Sequence, residues 1–165
     1  MNYFKPNLYA RSIYDINLLK LQERGIKGIL LDLDDTLASR HQRGAVPPKT
    51  VDWVNQLKDF GFSVCLLSNA LDPGLVRQAA KTMDIPVITV AFKPLPFFLT
   101  KALDILDAPP KKVAIIGDQV FTDVLAGKWS GMYTILVDPI SEETFWPRRL
   151  MRGLENLAYP RPEGQ

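Results

Sequence analysis

The sequence predicts an α/β fold: a single domain built on a Rossmann-like, doubly wound parallel sheet of about five strands, with helices on both faces. Three observations carry this. Short continuous apolar runs alternate with longer amphipathic stretches, the pattern of repeated strand–helix–strand crossovers. The strand over residues 26–33 carries the continuous apolar run Ile29-Leu30-Leu31, as a strand buried on both faces should. Polar residues with chemical capability stand directly after four of the runs, where open α/β sheets bind their ligands.

Taken in order, residues 1–25 form an arm with scattered apolar and aromatic positions (Phe4, Leu8, Tyr9, Ile13, Tyr14, Ile16) that pack on the body. Within it a short helix over 18–24 stops at Gly25. The core, 26–138, opens with the strand over 26–33. Residues 39–48 are polar and broken by Gly44, Pro47 and Pro48, which suits a flap beside a site. Pro48 at a first helical turn and Val51, Val54, Leu57 and Phe60 at helical spacing mark the first crossover helix, ended by Gly61. A strand over 62–67, a helix from Asp72-Pro73 to about Met83 and a strand over 86–91 follow. Next come a helix over 96–106, a strand over 113–116, a helix over 122–129 and a strand over 133–137. The C-terminal helix, about 144–159, is amphipathic: Trp146, Leu150, Leu154 and Leu157 form an apolar stripe, with Arg148, Arg149 and Arg152 elsewhere around it. Such a stripe either packs on the sheet or lies on an anionic membrane. Residues 160–165 read as disordered.

Composition sets outer limits. At 165 residues, 47% apolar and 23% charged, the chain can bury a core without disulfides or metal staples. Its one cysteine, Cys65, lies in the apolar run Val64-Cys65-Leu66-Leu67 and is core filler. No signal-peptide pattern and no membrane-spanning run is present, so the expected location is cytoplasmic, with peripheral contact at the inner membrane surface as an extension of the amphipathic helix. Setting aside Asp32, Asp34, Asp118 and Asp123 leaves 20 basic against 14 acidic residues, a mildly basic exterior suited to an anionic partner. No nucleic-acid motif accompanies it.

The chemistry begins at Asp32-Leu33-Asp34-Asp35-Thr36, where three carboxylates fall in four positions after an apolar strand. Two like charges at 4 Å repel by roughly 4 kcal/mol at an effective dielectric of 20, so a fold that crowds them needs a cation or a reaction that uses them. Asp32 can attack phosphorus to form an aspartyl-phosphate. Asp34, two residues on, can protonate the leaving alkoxide and later activate water. Asp32 and Asp118 offer hard oxygens to Mg²⁺. Ser68 and Asn69 can hold phosphate oxygens, and Lys93 supplies a fixed positive charge. Asp123 is either a further metal group or the cap of the helix that starts beside it. Thr36 orders the loop, Asp35 is a turn residue beside the site, and His41 in the flap is either a substrate contact or a solvated loop residue.

These residues resemble the haloacid-dehalogenase (HAD) superfamily, whose phosphatases carry D-x-D-x-T, then Ser or Thr, then Lys, then G-D-x-x-x-x-D. Asp32 to Thr36, Ser68, Lys93 and Gly117 to Asp123 match in order and spacing. The resemblance implies Asp32 as nucleophile and Asp34 as general acid and base. It also implies Mg²⁺ held by Asp32, the Asp34 carbonyl and Asp118, with Asp123 supporting. Ser12-Ile13-Tyr14-Asp15-Ile16, Gly25-Ile26-Lys27-Gly28 and Thr122-Asp123-Val124-Leu125-Ala126-Gly127 further resemble the YqeG-type group of HAD subfamily IIIA. Its relatives in mitochondria and photosynthetic lineages are phosphatidylglycerophosphate phosphatases of phospholipid synthesis, which makes a lipid headgroup the expected substrate.

The spacing leaves no room for a cap domain: 37–68 and 69–93 each accommodate one helix and one strand beyond the flap. A capless site suits a substrate too large to enclose, with a soluble phosphometabolite or phosphoprotein as the alternative. A phospho-receiver module, which shares the sheet, the acids, a hydroxyl and a lysine, is disfavoured by order. Here the acid pair follows the first core strand, and Asp34 equips the chain to hydrolyse a phosphoenzyme.

Overall fold

The computed structural model of the chain describes residues 2–42, 45–69, 72–89, 97–141 and 146–162. Its centre is β2 (Gly28–Leu31), four residues buried without exception, as expected of a strand covered on both faces. β2 pairs in parallel with β3 (Ser63–Ser68) on one side and β5 (Val113–Gly117) on the other. β4 (Val87–Thr89) extends the sheet beyond β3, and β6 (Tyr133–Val137) extends it beyond β5. With β1 (Leu8–Ala10) at one edge, the full order is β1-β6-β5-β2-β3-β4, every pair parallel.

Alternation along β2 separates two cores. Ile29 and Leu31 point to the face covered by α1 (Leu18–Glu23), α2 (Pro48–Asp59) and α3 (Pro73–Met83), through Leu21, Trp53, Leu57, Val76 and Met83. Leu30 points to the other face, with Cys65 and Leu67, under α4 (Phe97–Leu106) and α5 (Leu125–Trp129). Helices on both faces of a parallel sheet are the doubly wound architecture the sequence predicts. Among the described residues, a short 3₁₀ turn (Arg40–Gln42) and α2 join β2 to β3, and α3 joins β3 to β4, so neither connection carries a cap domain.

The structure departs from the sequence expectations in three places. The sheet has six strands, because the arm contributes β1 (Leu8–Ala10) to the edge beside β6. Asn7 secures it: its N–H donates to the Thr134 carbonyl, and its side-chain oxygen accepts from Thr134 N–H and from Lys128. The helix expected over 122–129 divides into a π-helical turn, Val120–Val124, and α5. Residues 160–162 are ordered, for Arg161 donates to the Asp118 carbonyl at 2.8 Å and pairs with Asp138.

The structure also bears on the two alternatives left open for α6 (Trp146–Ala158). The described residues of its apolar stripe do not pack on the sheet: Leu150, Leu154 and Leu157 are 60%, 46% and 81% exposed. Arg152 and Glu155 face the body instead, and Tyr159 joins Val120, Val124 and Leu136 in a small cluster. The helix docks by its charged side, with Arg152 on the Asp118 carboxylate and Glu155 accepting from the Phe121 N–H. The side chains of Trp146, Arg148 and Arg149 lie outside what the structure describes.

Candidate active site

In an open sheet the crevice lies at the carboxyl ends of the strands, where the strand order reverses. Here the chain leaves β2 toward β3 on one side and returns through β5 on the other. Asp32 follows β2 and Asp118 follows β5, and the two strand ends are tied by the Asp32 N–H bond to the Ile116 carbonyl, 3.0 Å. Ser68 ends β3, the other neighbour of β2, and is buried.

The loop after β2 turns tightly over Leu33, whose carbonyl accepts from the N–H groups of Thr36, Leu37 and Ala38. Asp35 takes a left-handed backbone (φ 62°), which an aspartate tolerates better than most residues. Its buried carboxylate pairs with Arg40, and its carbonyl accepts from Ile140 N–H. Asp35 is thus bound into the loop's own framework, as a turn residue beside the site. Asp34, two residues after Asp32, is half-buried. Thr36 is buried with its hydroxyl 3.4 Å from Asp32 Oδ2 and 3.5 Å from Asp118 Oδ1, a bridge between the two strand ends.

Beyond β5 the chain enters the π-helical turn, which folds Asp123 back over the strand. The Asp123 carboxylate accepts from Gln119 N–H at 3.2 Å. Gly117 makes this approach feasible: a Cβ there would stand 2.1 Å from Asp123 Oδ2. Gly127 plays the same part for α5, since a Cβ there would meet Ile115 and Thr134 methyls at 2.5 Å.

Asp32, Asp118 and Asp123 therefore converge, each offering a carboxylate oxygen within 4.8 Å of the others, and all are buried. The Asp118 carboxyl is pushed up to about 6, the balance of burial, which raises it most, Arg152, which lowers it, and Asp123 and Asp35, which raise it. Three buried carboxylate oxygens at this spacing fit a hard divalent cation, which favours oxygen donors and would relieve their repulsion.

Not every expected residue comes together. Asn69 follows Ser68 but is exposed. His41 is exposed on the 3₁₀ turn, its N–H bonded to Ser39. Lys93 lies outside the described residues, as do 90 and 91 of the strand expected to end beside it. Sequence reasoning missed Arg152 and Arg161, which reach the site from α6 and the segment after it. Arg152 binds Asp118 Oδ2 and donates to the Asp118 carbonyl at 3.1 Å. A signal was present: Arg152, Glu155 and Tyr159 share one face of a helix whose opposite face is apolar.

A capless, doubly wound sheet with D-x-D-x-T after its central strand and G-D-x-x-x-x-D after the neighbouring one defines a HAD-type phosphatase. Solved structures bear out the fold. The HAD phosphatase from Thermococcus onnurineus matches with TM-score 0.55 at 15% identity, over 73% of this chain and 90% of its own. The cobalt-bound deoxy-D-mannose-octulosonate 8-phosphate phosphatase (YrbI) of Haemophilus influenzae matches with TM-score 0.57 at 15% identity, over 84% and 89%. Within that class, residues 1–141 match the family described as mitochondrial PGP phosphatase, and the chain belongs to it. The probable phosphatase YqeG of Bacillus subtilis is 33% identical over 153 residues, 93% of this chain and 88% of its own length. The chloroplastic/mitochondrial phosphatidylglycerophosphate phosphatase 1 of Arabidopsis thaliana is 23% identical over 156 residues, 89% of this chain. The chain spans 45% of that relative's length. It is a phosphoric monoester hydrolase of the HAD type.

Proposed function

We propose that the chain hydrolyses a phosphomonoester through an aspartyl-phosphate on Asp32, with Mg²⁺ as cofactor. The observation that carries this is the convergence of Asp32, Asp118 and Asp123 at the sheet's switch point, three buried carboxylates, with the half-buried Asp34 two residues after Asp32. In the first step an Asp32 oxygen bonds to phosphorus as the bond to the leaving alcohol breaks, and Asp34 gives that alkoxide its proton. In the second, Asp34 takes a proton from water as the water oxygen attacks phosphorus, releasing inorganic phosphate and restoring Asp32. Ser68, with Asn69 and Lys93 as further candidates, orients the phosphoryl oxygens. Mg²⁺ held by Asp32, Asp118 and Asp123, with the Asp34 carbonyl as a further ligand, would neutralise phosphoryl charge. Thr36 keeps Asp32 and Asp118 in register.

The proposed substrate is a lipid phosphomonoester of the phosphatidylglycerophosphate kind. Three features support it: the family match, the capless connections, and an exposed apolar face on the helix that borders the site. That face, Leu150, Met151, Leu154 and Leu157, suits peripheral contact with a bilayer. Among the described residues no helix is long and apolar enough to cross one. The test is phosphate release by wild type and Asp32→Asn from phosphatidylglycerophosphate in mixed micelles, sugar phosphates, nucleotides and a phosphopeptide. Loss of all activity in Asp32→Asn, with the lipid preferred by wild type, is expected. A fully active Asp32→Asn protein overturns the mechanism, and preference for a soluble phosphomonoester overturns the substrate.

A further inference from the structure

α6 brings its charged face to the most buried acid of the site. Arg152 meets Asp118 twice, at carboxylate Oδ2 and at the backbone carbonyl, where Arg161 also donates. Asp118 itself has no exposed surface. A guanidinium that grips both ends of one residue limits rotation about the side-chain bonds between them. It leaves the other oxygen, Oδ1, on the side of Thr36 and Asp32.

α6 and Tyr159 just after it have anchors besides Arg152. Glu155 is buried and accepts from Phe121 N–H at 3.1 Å, and Tyr159 packs in the cluster with Val120 and Leu136. Arg152 is therefore not the sole contact between the helix and the body. It does set a positive charge among buried acids, facing Asp118 first and also Glu155 and Asp35. Burying those acids unmatched would be costly.

We propose that Arg152 is a positioning residue for the divalent cation: it holds Asp118 from the α6 side so that Oδ1 is presented to the ion together with Asp32 and Asp123. This rests on the cation reading above and assigns part of the site to the C-terminal helix. Groups that orient a metal ligand from behind are worth about 10–100-fold in affinity.

The test is calorimetric titration of the full-length, metal-stripped chain with Mn²⁺ and with Mg²⁺. Wild type, Arg152→Met, Arg152→Ala and Arg152→Lys are compared, and the thermal midpoint of each is recorded. Arg152→Met is expected to bind about 10–100-fold more weakly. Arg152→Lys, which keeps the charge but not the fork, should fall between, and added methylguanidinium should restore affinity to Arg152→Ala. Should the Met and Ala variants fail to fold, the Lys variant carries the comparison. Unchanged affinity in folded variants overturns the proposal and leaves Arg152 a helix anchor. Tighter binding overturns it in the other direction, making Arg152 a competitor for the site. A wild-type chain that takes up neither ion overturns the cation reading itself, an outcome distinct from both.

Discussion

Replacing Gly117 by alanine tests whether the site depends on the close approach of Asp123 to the end of β5. The added Cβ would lie 2.1 Å from Asp123 Oδ2, 2.2 Å from its Cγ and 2.6 Å from its Cβ. Turning the carboxylate cannot relieve the last of these, so the π-helical turn must move. Forced overpacking of this kind costs about 1–3 kcal/mol. At about 2–4 °C per kcal/mol for a chain of this size, the midpoint should fall by roughly 2–12 °C. Gly127→Ala is the matched control, with its Cβ 2.5 Å from Ile115 and Thr134 methyls and no contact with the acids. Thermal unfolding with and without Mg²⁺ separates the two effects. An ion at a hundred times its dissociation constant stabilises by about 2.7 kcal/mol, and this increment should persist in wild type and Gly127→Ala. Gly117→Ala should lose most of it, because displacing Asp123 removes one of three converging oxygens. A Gly117→Ala protein that keeps the full Mg²⁺-dependent increment would refute the reasoning.

Two further outcomes are expected. Changing Leu150, Leu154 and Leu157 together to serine should leave the thermal midpoint within a few degrees, since all three are exposed, while abolishing sedimentation with anionic vesicles. Each buried leucine is worth about 1.5–3 kcal/mol, so unchanged vesicle binding would place the contact elsewhere. Burial pushes the Cys65 thiol up to about 12, well above the 8.5 or so of an exposed thiol. The folded state therefore holds this proton more tightly than the unfolded chain. The stability it contributes is complete below about pH 8.5 and lost as pH rises toward 12. A thiol reagent at pH 8 should label Cys65 only after denaturation, and rapid labelling of the native chain would contradict its place beside Leu30 and Leu67.

Much of the fold was legible because local pattern and global burial agree. The strand expected over 133–137 is β6 residue for residue, and Asp72-Pro73 opens α3 as its capping chemistry dictates, with Asp72 accepting from Gly74 and Leu75 N–H. β1 was not legible. Three residues after Pro6 carry no period, and they become a strand only because β6 offers an unpaired edge and Asn7 clamps Thr134. The orientation of α6 was not legible either. Its apolar periodicity identifies a helix with two faces but not which face turns inward. That choice belongs to Asp118 and the Phe121 N–H, whose demand for a cation and an acceptor outweighs the apolar contact Leu150, Leu154 and Leu157 would make.

By itself the sequence determined which residue types stand at the ends of β2, β3 and β5, because strand periodicity and motif spacing are local and leave the carboxyl ends no other position. Only the tertiary structure decided that Asp123 closes over Gly117, that Asp35 belongs to Arg40, and that Arg152 and Arg161 meet Asp118 from more than thirty residues away. Those pairings follow from where the sheet and α6 bring charges together out of water. There a buried carboxylate takes whichever cation the fold can deliver, and no period in the chain records which one that is.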